Sequence, residues 1–187
     1  SLDGGVLLGG SMSAASDLST RLGTGDRDGA LITALAAKVG TPFWLYDAAR
    51  IESQIERLRG FDTIRYAQKA SSNLDLLRVM RRNGVKIDAV SNGEITRALA
   101  AGYQAGGDEL VFTADIFDRP TLERVAELRI PVNCGSPDMI DQIGAVSPGH
   151  RIWLRINPGF GHGHSNKTNT GGPFSKHGIW HEQLPDL

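Results

Sequence analysis

A chain of 187 residues suffices for one domain of ordinary size, and 40% apolar with 22% charged residues exclude a disordered or collagen-like polypeptide. Lys plus Arg number 20 and Asp plus Glu 21, so the net charge of -1 provides no basic face for nucleic acid and no polybasic patch for a membrane. The longest apolar stretches, such as 34–37 and 6–8, fall far short of the ~20 residues of a membrane helix, and no basic region precedes an apolar core as in a secretory signal. One cysteine, Cys134, excludes an internal disulfide and fits a reducing compartment, so a cytoplasmic protein is the expectation.

Residues 1–28 are rich in Gly, Ser, Asp and Thr without lasting periodicity, and read as a loose leader, disordered or partly a cloning remnant. Residues 29–187 form the folded part. Helical spacing runs over 30–38 and stops at Gly40, with Pro42 beyond it. The apolar run 43–46 between Pro42 and Asp47 predicts a strand. Strands are then predicted at 63–67, 86–90, 109–113, 131–134 and 151–156, with helical patterns at 74–82, 93–101, 119–128 and 139–146 between them. Strand centres recur about every 22 residues, the length of one strand, one helix and two short loops. Runs such as Leu110-Val-Phe112 and Ile152-Trp-Leu154 are those of parallel strands covered on both faces. A new helix is expected to begin near His181.

Repeated βα units leave two architectures open, a small open doubly wound sheet or part of a (β/α)8 barrel. In both, ligands collect at the C-terminal ends of strands. That rule selects Lys69, Asp88, Ser91, Glu94, Thr113 and Arg155. Lys69 lies in Tyr66-Ala-Gln-Lys-Ala-Ser-Ser-Asn73, directly after a strand and between two alanines. A desolvated surround there would favour the free amine that Schiff-base chemistry needs. Each of these residues also has an ordinary reading: a solvated loop lysine, an acid at a strand end, an acid in a first helical turn, a surface ion pair. The Gly-rich polar stretch 158–175 is long enough to be either a lid or a floppy loop.

Several separated motifs occur in order: Arg65-Tyr-Ala-Gln-Lys-Ala-Ser-Ser-Asn73, Asp88-Ala-Val-Ser-Asn-Gly-Glu94, Arg155-Ile-Asn-Pro-Gly-Phe-Gly-His-Gly-His-Ser165, Asn169-Thr-Gly-Gly172 and Ser175-Lys-His-Gly-Ile-Trp180. From about Gly40 to Leu187 the chain resembles the fold-type III pyridoxal-phosphate decarboxylases, whose barrel is of the alanine racemase and ornithine decarboxylase type, and within them the diaminopimelate decarboxylase branch. The resemblance implies an α/β fold, a (β/α)8 barrel of which five to six units are present. The family's C-terminal β-domain would be absent. It implies pyridoxal 5'-phosphate as cofactor, meso-diaminopimelate as amino-acid substrate, L-lysine and carbon dioxide as products, and a homodimer.

By the same resemblance Lys69 matches the lysine that carries the cofactor, while Asp88, Glu94 and Arg155 match cofactor-side positions. His162, His164, Thr170 and Lys176 fall on or beside the loop over the substrate side. A ring-stacking histidine, the phosphate-binding glycines, an acid for the pyridine nitrogen, and a Cys and Tyr from the partner subunit would lie beyond position 187. The chain is therefore expected to be the N-terminal portion of such an enzyme, with little activity by itself and with open sheet edges that favour association. Alternatives are a sister decarboxylase or racemase acting on ornithine, arginine or carboxynorspermidine, and a non-catalytic homologue that binds or regulates.

Three other patterns are set aside. The stretch 161–168 nearly matches a phosphate-binding loop, but Asn166 stands where a glycine is needed. His162, His164, His177 and His181 lack a nearby Cys or acidic ligand, so no metal site is expected. Cys134 ends an apolar strand and reads as a small core residue.

Overall fold

The computed structural model describes residues 6–8, 29–161, 163 and 169–187. Apart from Val6–Leu8, the predicted leader lies outside the described residues, as do His162 and His164. The chain divides into two compact units, the first drawn from Ser1–Ile64 and Asn73–Val85, the second from Arg65–Ser72 and Lys86–Leu187.

In the first unit, β1 (Val6–Leu8) pairs antiparallel with β2 (Leu45–Asp47). The helices are α1 (Gly29–Val39), α2 (Ala48–Glu56) and α3 (Leu74–Arg82). The Asp47 carboxylate starts α2 by accepting from Ala49 N at 3.0 Å, and the Asn73 side chain starts α3 by accepting from Asp75 N at 2.9 Å. Asn83 Nδ2 donates to Val79 O and to the Glu52 carboxylate, which ties the end of α3 to α2. Leu35, Ile55, Leu76, Leu77 and Val79 are buried.

The second unit is built on a five-stranded parallel sheet: β3 (Arg65–Ala67), β4 (Lys86–Ala89), β5 (Leu110–Thr113), β6 (Val132–Cys134) and β7 (Ile152–Leu154), adjacent in chain order. Between strands lie α4 (Asn92–Ala100), α5 (Arg119–Glu127) and α6 (Pro137–Val146), capped by Ser91, Asp118 and Ser136. Residues in register share a face of a sheet. One face carries Ile87, Ala89, Leu110, Phe112, Val132 and Cys134, all buried. The other is mostly polar and carries Arg65, Lys86, Asp88, Thr113, Asn133 and Trp153, with Ala67 and the buried Val111 among them. The expectation of strands covered on both faces holds for Leu110–Phe112 of β5, all three buried, but not for Ile152–Leu154 of the edge strand β7, which is half-buried to exposed, while β4 and β6 alternate buried with half-buried residues.

That polar face is concave. Arg65, on one edge strand, places Cζ 5.5 Å from the ring centroid of Trp153 on the other edge strand. Four strand spacings in a flat sheet would separate those edges by about 19 Å, more than an arginine spans. The Arg65 guanidinium also donates to Asp108 O at 2.9 Å, and Arg151 lies 5.4 Å from the same indole. The arrangement is a partial barrel, its inner face polar and its outer face apolar.

The predicted strand 151–156 is two strands. At Arg155 the chain changes partners: its N–H donates to Cys134 O at 2.8 Å, and its carbonyl accepts from Ile179 N at 2.7 Å. Beyond it β8 (Ile156–Asn157) pairs parallel with β9 (Ile179–Trp180). The expected helix near His181 is a 3-10 turn over His181–Asp186 with Pro185 inside it. No helix among the described residues is long and apolar enough to cross a membrane.

Candidate functional site

Lys69 sits in a 3-10 turn (Gln68–Ala70) immediately after β3, at the C-terminal edge of the sheet. The desolvated surround expected for it is not found, since Lys69 and Ala70 are both exposed. Three neighbours hold its turn instead. The Gln68 side chain is fully buried and donates through Nε2 to Glu94 O at 3.0 Å. The Tyr66 hydroxyl donates to Ser71 O at 3.1 Å, and Arg97 Nη1 donates to Ser72 O at 3.2 Å. The lysine thus projects from a backbone tethered on either side of it.

Asp88 is in register with Ala67 and lies on the concave face. Its Oδ1 is buried without a hydrogen-bond partner among the described residues. A buried carboxylate oxygen without a donor is costly, so this oxygen can accept a donor that a ligand or water brings. Nearby, burial lowers the Arg65 pKa, a tendency that the charges of Asp108 and Asp88 oppose.

Glu94 and Ser91 close the N-terminus of α4. Ser91 Oγ accepts from Glu94 N at 3.2 Å, and Glu94 Oε2 accepts from Val90 N at 2.8 Å. This is a variant of the capping box, and it accounts for one oxygen of the carboxylate. Through Gln68 and Glu94 the lysine turn and the first turn of α4 are joined.

Arg155 is joined to residues of two other loops by Asp115, which sequence reasoning missed. Asp115 follows β5 by two residues, just past the strand-end position that selected Thr113. Its carboxylate lies 3.5 Å from Arg155 Nη1, 3.0 Å from His177 Nδ1 and 3.7 Å from Lys176 Nζ. Burial favours its neutral form, but the His177 hydrogen bond and the charges of His177, Arg155 and Lys176 outweigh that and lower its pKa. Lys176 and Arg155 are therefore brought together, while Thr170 is exposed on the returning loop. His177 and His181 do not share a helical face. His177 turns to Asp115, and the His181 ring lies against Trp180 at 4.9 Å. Among the described residues no three potential ligands converge on a metal position.

The base of the long loop is pinned by Asn157, also missed, which is buried. Its side chain accepts from Gly172 N at 2.9 Å and donates to Gly172 O at 3.0 Å. An Asn at a strand end is an ordinary sequence signal. Its partner 15 residues away is visible only in three dimensions.

Residues 48–187 match the family described as pyridoxal-dependent decarboxylase, pyridoxal binding domain. A diaminopimelate decarboxylase of Streptomyces coelicolor is 66% identical over 164 residues, covering 87% of this chain and 37% of that protein. One from Escherichia coli K12 is 65% identical over 153 residues, covering 81% of this chain and 36% of its own length. A crystal structure of a diaminopimelate decarboxylase superposes with a TM-score of 0.80 at 62% identity, over 83% of this chain and 37% of that one. Another, from Helicobacter pylori and complexed with L-lysine, gives a TM-score of 0.69 at 27% identity, over 75% of this chain and 38% of that one. The chain thus spans little more than a third of the length of these relatives. With a parallel βα sheet curved into a partial barrel, a lysine at the C-terminal end of its first strand and the family match over 48–187, the chain belongs to the pyridoxal-dependent decarboxylases, as part of their pyridoxal-binding barrel.

Proposed function

We propose that this chain is the N-terminal part of a decarboxylase that converts meso-diaminopimelate to L-lysine and carbon dioxide with pyridoxal 5'-phosphate. The observation that carries the reading is Lys69 on its tethered turn, two residues past Ala67, which is in register with Asp88, whose Oδ1 is buried without a hydrogen-bond partner among the described residues. Identity of 65 to 66% to two proteins named diaminopimelate decarboxylase supports the choice of substrate.

The residues present fit the cofactor. Lys69 offers a primary amine for covalent attachment, and its exposure leaves that amine reachable. Asp88 offers a buried acceptor that lacks a donor. Arg155 offers a cation to an anionic group, phosphate or carboxylate. When bound, pyridoxal phosphate supplies an electron sink for the charge left on the substrate carbon as carbon dioxide departs. Glu94 acts through its hold on α4 and, by way of Gln68, on the lysine turn. In this reading Thr170 and Lys176 serve the substrate side, from the returning loop. The single buried cysteine supports a cytoplasmic setting, and the motif resemblance supports a homodimer.

Carbon dioxide release from the complete polypeptide tests the reading. With meso-diaminopimelate, kcat/KM is expected to exceed that with ornithine, arginine or carboxynorspermidine by at least about 100-fold. Preference for one of the others would make the protein a sister decarboxylase. Release from none would leave a non-catalytic homologue.

A further inference from the structure

Arg155, Lys176 and His177, from two segments, converge on Asp115, whose side chain is only 30% exposed. Arg155 Nη1 and His177 Nδ1 also lie within hydrogen-bond reach of each other at 3.3 Å, so both groups and the carboxylate form one network. Lys176 contributes least, at 3.7 Å and with its side chain 79% exposed. The root of Arg155 is fixed by backbone bonds to Cys134 and Ile179. Asp115 therefore decides where the tip goes. Its contact engages Nη1 alone, so Nε and Nη2 retain donors for an anion.

We propose that Asp115 is a positioning residue: its carboxylate fixes the Arg155 guanidinium and the Lys176–His177 segment in one arrangement at the strand ends, and so presents Arg155 to an anionic group of cofactor or substrate. This rests on the pyridoxal-phosphate reading above. Without the carboxylate, Arg155 and His177 would lose the acceptor that they share, and the guanidinium would lose the orientation that it holds over the sheet edge. The effect would reach the ligand only through Arg155. A residue that merely stabilised the fold would not depend on Arg155 in that way.

The test is a double-mutant cycle read as pyridoxal-phosphate affinity of the complete apo-polypeptide, with thermal unfolding recorded alongside. D115N and R155Q are each expected to weaken binding roughly tenfold, and the double variant to bind no more weakly than R155Q alone. D115E, which keeps the charge, is expected to recover most of the loss. Additive losses, unchanged affinity in D115N, or unchanged affinity in R155Q would overturn the proposal. If D115N unfolds, D115E carries the test, and a loss as large as that of R155Q would overturn it. A wild-type polypeptide that binds no pyridoxal phosphate would overturn the function reading and this proposal together. Tight wild-type binding with no coupling would overturn this proposal alone.

Discussion

At the scale of single residues, chemistry here follows from which face of the sheet a side chain occupies. Cys134 and Asn133 are neighbours in sequence, yet Cys134 faces the apolar side and is fully buried while Asn133 shares the polar side with Thr113 and Trp153. Burial pushes the Cys134 thiol up to about 11, so almost no thiolate exists at neutral pH. In the native complete polypeptide Cys134 should resist iodoacetamide and react only after denaturation. Rapid native alkylation, located by peptide mass, would contradict its place in the core. Asp115 illustrates the opposite case. It is half-buried, but the His177 hydrogen bond and the nearby Arg155 and Lys176 lower its pKa, and it stays ionised.

At the scale of elements, what could be read from sequence was what local physics decides. Helix α3 occupies the predicted 74–82, because Asn73 caps its start and its apolar residues recur at helical spacing. Helices α5 and α6 begin where an Asp or Ser precedes a proline that fits the first turn. Helix α2 was missed. Its apolar signal is only Ile51 and Ile55, one turn apart in an otherwise polar and alanine stretch, although Asp47 caps it strongly. The predicted strand 151–156 reads as one apolar run, and only its partners divide it at Arg155. The division depends on Gly178, whose φ is +83°. A Cβ there would lie 2.9 Å from Asn157 N and 2.9 Å from the Ile156 carbonyl carbon. Gly149 has a similar φ of +72° but open space around it. Gly149→Ala should cost about 1 kcal/mol of conformational strain, whereas Gly178→Ala should cost about 3 kcal/mol because contact is added to strain. Urea denaturation of the two complete variants checks this. Equal costs would show that the close approach of Arg155–Asn157 to Gly178 is not what constrains it.

At the scale of the whole molecule, counting βα units left an open sheet and a barrel both standing, since a count cannot measure curvature, and the motif resemblance pointed to the barrel. The contact of Arg65 with Trp153 across the sheet does measure it, and the superposition on a solved diaminopimelate decarboxylase at a TM-score of 0.80 supports the same fold. The polar inner face also explains why the site was partly legible. Strand-end position marked Lys69, Asp88 and Arg155, whereas Asp115 and Asn157 act through partners 40 and 15 residues away. The central claim is that the C-terminal edge of this sheet is a pyridoxal-phosphate site with Lys69 as its covalent attachment. Borohydride reduction of the complete polypeptide with pyridoxal phosphate, followed by trypsin and mass spectrometry, tests it most directly. A modified lysine resists trypsin, so the account expects the pyridoxyl mass on an uncut peptide running from Tyr66 to Arg78, with Lys69 as the modified residue. A stable adduct on any other lysine instead, or none at all, would contradict it.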